Sequence, residues 1–377
     1  MLRNLTILLD RSRADLRIRR ALSANKWLEY GGAKILIVGD GAPISRSQIF
    51  PFHYYASEFE NLHGIEFRQV DVADLDAKSV QVPENADLIL FQPWFNKYDT
   101  GKIVGLISLL KQRNPNAKIV FLDSFAPLDL RFAQALDPVV DAYVKKHVFR
   151  DRSRYGVATQ GDTNLMEYFE RYYELPASPA TLFPIPQGFL SKLFVGPSFL
   201  TSREMLPVFH SGQTPLSRKK RLGIHARLGA KGTPWYQAMR EHALSACEPF
   251  SGKGIVTFQS VGKRRYMNEL AQSHICFSPF GYGEVCWRDY EAIMCGALLL
   301  KPDMSHLQTD PDIFVPYETY VPVAWDFSDL SDKLDYYLAN DAARQRIVDQ
   351  AYATLHSYAT SDAFVGQFEA VLGLGTT

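Results

Sequence analysis

Residues 274–302, HICFSPFGYGEVCWRDYEAIMCGALLLKP, decide how this chain is read. Residues 274–278 form a short apolar and aromatic run closed by Pro279, the profile of a buried strand. Residues 280–283 (FGYG) read as a turn, because two glycines one residue apart allow positive φ and close approach of the backbone to a ligand. From Glu284 the spacing becomes helical. Val285, Tyr290, Ile293 and Met294 share one face, with Arg288 and Glu291 three apart on another. Gly296 ends the helix as a C′ glycine does, and residues 297–300 form the next buried strand. Strand, glycine turn, helix and strand make a βαβ unit, and a helix N-terminus behind a glycine turn suits an anion.

Working outward, the same alternation recurs on both sides. In the first half, residues 5–9 (LTILL) read as a strand ending at Asp10. A helix over 17–30 follows, carrying Ile18, Leu22, Trp27 and Leu28 and stopped by Gly31 and Gly32. Strands are expected at 34–38, 65–70, 86–91 and 118–122, with a helix at 102–113 and a strand-like element over 139–148. Such alternation specifies a doubly wound parallel sheet, whose ligands sit at the carboxyl ends of strands. Asp10, Asp40 and Asp123 are placed at such ends, where an acid either meets substrate or caps the next helix.

A helix lies within 161–174, and the Pro-, Gly- and Phe-rich stretch 175–200 marks the approach to a domain boundary. Beyond it, residues 206–209 read as a strand ended by His210, Ser211 and Gly212. The charge run 217–221 opens a helix and reads as a solvated face, with anionic lipid or a diphosphate as its functional alternatives. Helices at 234–247 and 264–272, a strand at 254–259, strands at 313–315 and 320–323, and helices at 330–339, 342–358 and 363–372 complete the chain.

Composition excludes several classes. At 377 residues the chain accommodates two domains, each with a core. Lys plus Arg equals Asp plus Glu, 41 each, so bulk nucleic-acid binding is not expected. The opening apolar run is too short for a signal peptide, and no stretch approaches the length of a membrane span. The four cysteines lack paired metal spacing, which points to free thiols in a reducing compartment and hence the cytoplasm.

The pattern SPxGxGExxxRxxEAxxxGAxxL in the central stretch resembles the nucleotide-sugar-binding segment of GT-B glycosyltransferases, in particular the family-1-like and exostosin-like groups. That resemblance implies an α/β, GT-B-like fold: two Rossmann-like doubly wound domains facing a cleft, with a C-terminal helix crossing back to the first. The expected boundaries are 1–200 for the acceptor-side domain, 201–355 for the nucleotide-sugar-binding domain and 356–377 for the returning helix. It also implies a glycosyltransferase moving a hexose or related sugar from a UDP- or GDP-sugar to a glycan or lipid-linked acceptor. No metal is needed, and peripheral contact with a membrane is compatible. A catalytically silent sugar-nucleotide-binding or scaffold protein, and a GT-B-type epimerase, are the alternatives.

By the resemblance, Gly281, Tyr282 and Gly283 face the sugar and diphosphate, Arg288 binds the anion, and Glu291 binds the ribose hydroxyls. A carboxylate suits that last task because it accepts two hydroxyl donors at once. Lys263, Arg264, His210 and Gly212 are further candidates for the diphosphate. Glu284 stands seven positions before Glu291, where the commoner retaining pattern has eight, and is assigned to the sugar's side of the site. An inverting enzyme also needs a base near the acceptor hydroxyl, for which Asp123 is the candidate and Asp10 the reserve. His53, in PFHYY, reads as a packed histidine. Two D-x-D triplets, Asp74/Asp76 and Asp310/Asp312, raise a metal-dependent GT-A enzyme as a rival, but neither ends an apolar strand.

Overall fold

Apolar strands separated by helices pair side by side in the same direction, and here they build two parallel sheets. The computed structural model describes residues 2–23, 27, 32–75, 82–94 and 96–373. The first sheet contains β1 (Lys34–Gly39), β2 (Glu66–Asp71), β3 (Leu88–Gln92), β4 (Lys118–Asp123), β5 (Ala142–Lys145) and β6 (Leu193–Val195). Their order is β2-β1-β3-β4-β5-β6, parallel throughout. Around it lie α1 (Leu2–Ser23), α2 (Pro43–Tyr54), α3 (Ala56–His63) and α4 (Thr100–Arg113), whereas α5 (Asn164–Tyr172) packs on the helix over residues 234–245, and α6 (Leu206–His210) follows.

The second sheet contains β7 (Leu222–Arg227), β8 (Ile255–Thr257), β9 (Ser273–Phe277), β10 (Leu298–Pro302) and β11 (Val321–Val323), in the order β8-β7-β9-β10-β11. It too is parallel. The helices α7 (Pro234–Ser245), α8 (Lys263–Ala271) and α9 (Trp287–Met294) connect its strands. Strand order reverses between β7 and β9, so the crevice at their carboxyl ends is where a ligand of this fold sits.

The chain closes with α10 (Leu330–Ala339), α11 (Asp341–Thr360) and α12 (Ala363–Leu372), the end of α11 and α12 packing on helices beside the first sheet. Phe364 and Phe368 meet the buried Phe52 edge-on, with ring centroids 5.2 and 4.8 Å away. Tyr55 donates to the Ala359 carbonyl at 2.7 Å, and His63 pairs with Glu369 at 2.9 Å. Burial of the aromatic rings supplies most of the attachment, since each fully buried ring contributes about 1.5–3 kcal/mol.

Several expectations need correction. LTILL is no strand but part of α1, because Ile7, Ala14 and Ala21 recur every seventh residue on its buried side. Asp10 therefore ends no strand. The helix expected at 17–30 is the end of α1 in its first part, whereas Leu28 and Gly31 lie outside the described residues. Residues 206–209 begin a helix, with Pro207 in its first turn, and 217–221 run without helix directly into β7. No strand forms at 313–315.

In the central stretch, β9, α9 and β10 appear where expected, and Val285, Tyr290, Ile293 and Met294 are all buried. The helix starts three residues later than Glu284. The Asp289 carboxylate reaches back to the backbone N–H of Cys286 at 2.8 Å and fixes the first turn there.

Candidate functional site

The glycine turn is held from below by a buried ion pair. Asp289 accepts from Ser278 Oγ at 2.6 Å and lies 3.1 Å from Lys301 Nζ, and both charged side chains are wholly buried. A buried pair of this kind is costly to break, so strand end, turn and helix start keep one arrangement. Neither Gly281 nor Gly283 has positive φ. Gly283 is required for space: a Cβ there would lie 2.2 Å from the carbonyl oxygen of Ala126, just beyond β4 of the first domain. The carboxyl ends of the two sheets thus meet across this turn. Gly296 does adopt φ +66°, as a C′ glycine should.

Tyr282 leaves the turn to stack on Tyr236 of α7, 4.6 Å between centroids and 7° between planes, and its hydroxyl accepts from Thr233 N at 3.1 Å. The loop after β7, residues 228–233, contributes Gly229, Lys231 and Gly232. It repeats the strand–glycine–helix design of the central stretch and went unweighted in the sequence.

Beneath these rings lies a basic cluster short of hydrogen-bond partners. Arg240 of α7 is buried, with its guanidinium carbon 5.0 Å from the Tyr236 ring centre. Its Nε and Nη1 are enclosed with no hydrogen-bond partner, and the same holds for Nε and Nη1 of Arg288. Burial first, and then the charge of Arg288, lower the Arg240 pKa to about 10. His225 of β7 makes no hydrogen bond at either ring nitrogen, its Nε2 lying 3.8 Å from Glu269, and burial followed by the Arg288 charge lowers its pKa to about 4. By contrast Arg227, on the same strand, is satisfied by Glu269 and the Gln259 carbonyl. Arg240 and His225 were not foreseen. A lone arginine on an amphipathic helix carries no local signal, and only the fold brings it to Arg288.

From this cluster the groups continue along the strand ends. The His225 ring meets Tyr266 edge-on at 5.2 Å, and Tyr266 lies against both Arg288 and Glu291. Glu291 is buried and ion-paired with Lys263 at the start of α8. Lys263 and Arg264 line a cavity of about 1120 Å³ together with Arg218, Arg265 and Cys295. Arg288, Glu291, Lys263 and the glycine turn therefore share one face of the second domain.

Glu284 turns the other way, toward the first domain. It is fully buried; Oε1 accepts from Asn164 Nδ2 at 2.9 Å and lies 3.8 Å from His306 Nε2, and Oε2 lies 3.5 Å from His147 Nε2. Burial alone would raise the Glu284 pKa, but the two histidines outweigh it and hold the carboxyl well below the usual range. His147, just past β5, and His306 were also unforeseen.

The remaining assignments are placed differently. Asp123 is buried at the end of β4, but Oδ2 accepts from Tyr143 at 2.6 Å and Lys145 at 2.8 Å, and Oδ1 from Phe125 N at 2.7 Å. Its oxygens are engaged by groups of the first domain, where the sequence reading expected a base. His210 and Gly212 do not reach the turn, because the strand meant to aim them is a helix. His210 packs edge-on to Tyr54 at 5.5 Å, and the Gly212 carbonyl accepts from Tyr352 at 2.9 Å. His53 is buried and bonded to Gln69 at 2.7 Å, as a packed histidine should be.

Residues 215–370 match the family model described as "Glycosyl transferase-like". No curated protein matches the sequence. Among solved structures, a glycosyltransferase from Rickettsia africae ESF-5 is similar at TM-score 0.51 and 12% identity, over 92% of this chain and 100% of that one. A putative UDP-N-acetylglucosamine 2-epimerase from Listeria monocytogenes gives 0.48 and 9%, over 92% and 98%. Anabaena HepE in complex with UDP-glucose gives 0.46 and 10%, over 90% and 98%. Residues 215–370 thus carry a glycosyl transferase-like domain, in a chain whose two-sheet fold is similar to that of the Rickettsia glycosyltransferase.

Proposed function

We propose that the chain transfers a hexose or related sugar from a UDP- or GDP-sugar to a glycan or lipid-linked acceptor without a metal, in cytoplasmic polysaccharide biosynthesis at a membrane surface. The observation that carries this reading is the pair Arg240 and Arg288, whose enclosed guanidinium nitrogens lack partners beside the glycine turn. Two buried like charges are costly unless an anion joins them, and a diphosphate supplies that anion.

The chemistry follows from the same pair. As the sugar departs, negative charge grows on the diphosphate. Fixed guanidinium groups in a water-poor crevice stabilise that charge more than they stabilise the ground state. Glu291, with Lys263 as its present partner, is the ribose ligand in this scheme, and Glu284 sits on the side of the acceptor domain. Metal independence is supported by Asp310 and Asp312, whose carboxylates are taken by Gln367 at 2.8 Å and Arg150 at 3.2 Å. Asp76 of the other triplet lies outside the described residues. The four cysteines are all free thiols, which fits a reducing compartment.

A thermal-shift panel of nucleoside diphosphates and their sugars tests this directly. Ligand at a hundred times its dissociation constant stabilises by about 2.7 kcal/mol. The expected result is a shift for one base, present for both the diphosphate and its sugar, followed by transfer to an acceptor. A donor converted with no acceptor present would instead identify an epimerase.

A further inference from the structure

The outward face of α1 is built unlike the rest of the surface. Inward, Arg3, Arg11 and Arg17 fasten the helix by hydrogen bonds to the carbonyls of Val208, Arg203, Glu204, His53 and Tyr54. Outward, Leu5, Leu8, Leu9 and Leu16 are each about half exposed, at 55%, 57%, 48% and 48%. Arg13, Arg19 and Arg20 are exposed beside them. At 3.6 residues per turn these seven side chains fall within an arc of about 140°. No carboxylate lies in that arc, and the helix's acids are spent at its edges. Asp15 pairs with Arg203 at 2.6 Å, and Asp10 lies 3.7 Å from Arg13. No helix among the described residues is long and apolar enough to cross a membrane.

We infer that this face lies on an anionic phospholipid bilayer, with the leucines entering the acyl boundary and the three arginines paired with lipid phosphates. The charge decides the occupant. A leucine stripe alone would suit a second copy of the chain, but two such faces in contact would oppose three arginines to three. A helix with leucines interleaved by arginines and bound flat to its own domain suits an interface with negative headgroups. This rests on the proposed membrane contact and assigns the surface that makes it.

The test is sedimentation of the full chain with vesicles of phosphatidylcholine, with and without phosphatidylglycerol. The expected result is binding to the phosphatidylglycerol vesicles that salt weakens, and little binding to the neutral ones. Replacing Arg13, Arg19 and Arg20 with Gln should cost about five-fold per arginine, roughly hundred-fold together. Replacing Leu5, Leu9 and Leu16 with Ser should cost at least about ten-fold, with no loss of melting temperature because these side chains are exposed. Wild type that binds while both variants bind equally well would overturn the assignment to α1 and leave membrane contact standing. Wild type that binds no vesicle, or that forms a dimer abolished by the leucine variant, would overturn both. Nucleotide affinity of the variants, unchanged throughout, keeps these outcomes separate from the transferase reading.

Discussion

Asn164 donates a 2.9 Å hydrogen bond to Glu284, a partner 120 positions further along the chain. Both side chains are buried, so without Asn164 the Glu284 carboxylate keeps only its two histidine neighbours and loses its hydrogen bond at Oε1. Asn164→Ala should therefore lower stability by about 1–3 kcal/mol. A double-mutant cycle with Glu284→Gln, read by urea unfolding, should show a coupling of about 1–2 kcal/mol. Additive effects would show that the two residues act independently. Because Glu284 faces the first domain, Glu284→Gln should also reduce turnover more than nucleotide affinity.

The buried histidines set an acid limit. Burial chiefly depresses His53 from 6.5 to about 4, against the opposing hydrogen bond from Gln69. Neutral in the folded chain and charged in the unfolded one, it contributes stability that is complete above pH 6.5 and is lost as pH falls toward 4. The loss between pH 7 and pH 5 should be roughly 2 kcal/mol, visible as a lower urea midpoint. His53→Gln should remove that share and leave the similar one from His225; an undiminished dependence would mean that His53 does not carry it.

Glu291 and Lys263 test the ribose end of the site. If Glu291 takes two charge-assisted hydrogen bonds from the ribose, Glu291→Ala should weaken nucleotide binding roughly ten- to thousand-fold. Glu291→Gln keeps one acceptor oxygen and should lose less. Helix α9 should tolerate Ala well, so melting curves should show little change. Calorimetric titration of the matching nucleotide reads all of these, and undiminished affinity in Glu291→Ala would move the ribose elsewhere.

Chelation tests the rival chemistry. With Asp310 and Asp312 held by Gln367 and Arg150, transfer should survive EDTA without measurable loss. Activity abolished by EDTA and restored by manganese or magnesium would contradict the arrangement drawn here.

What was legible in the sequence was local and periodic. The FGYG turn, the faces of α9 and the run of C-terminal helices follow from spacing over a few residues. LTILL misled because an apolar run of five has no period of its own, and only Ala14 and Ala21 further on reveal the helical repeat. His210 and Gly212 fell with the strand that was to carry them. Asp123 sits where strand-end reasoning put it, but its partner Lys145 lies on a neighbouring strand, 22 residues away. Arg240, His225 and His147 were invisible for the same reason. The significance of His147 lies in its nearness to Glu284, and that of Arg240 in guanidinium nitrogens without a hydrogen-bond partner, both of which depend on everything packed around them.

That absence gives the most direct test. In the free protein Arg240 is a buried charge beside another of the same sign, so Arg240→Met should leave the melting temperature unchanged or raise it. The same substitution removes charge-assisted hydrogen bonds to a diphosphate and should weaken nucleoside-diphosphate binding roughly ten- to hundred-fold. The measurement is calorimetric titration of the nucleoside diphosphate that shifts wild type most, against wild type and Arg240→Met, with melting curves alongside. Preserved or improved stability with lost affinity is the predicted result; full affinity in a well-folded Arg240→Met would contradict the donor site proposed for this crevice.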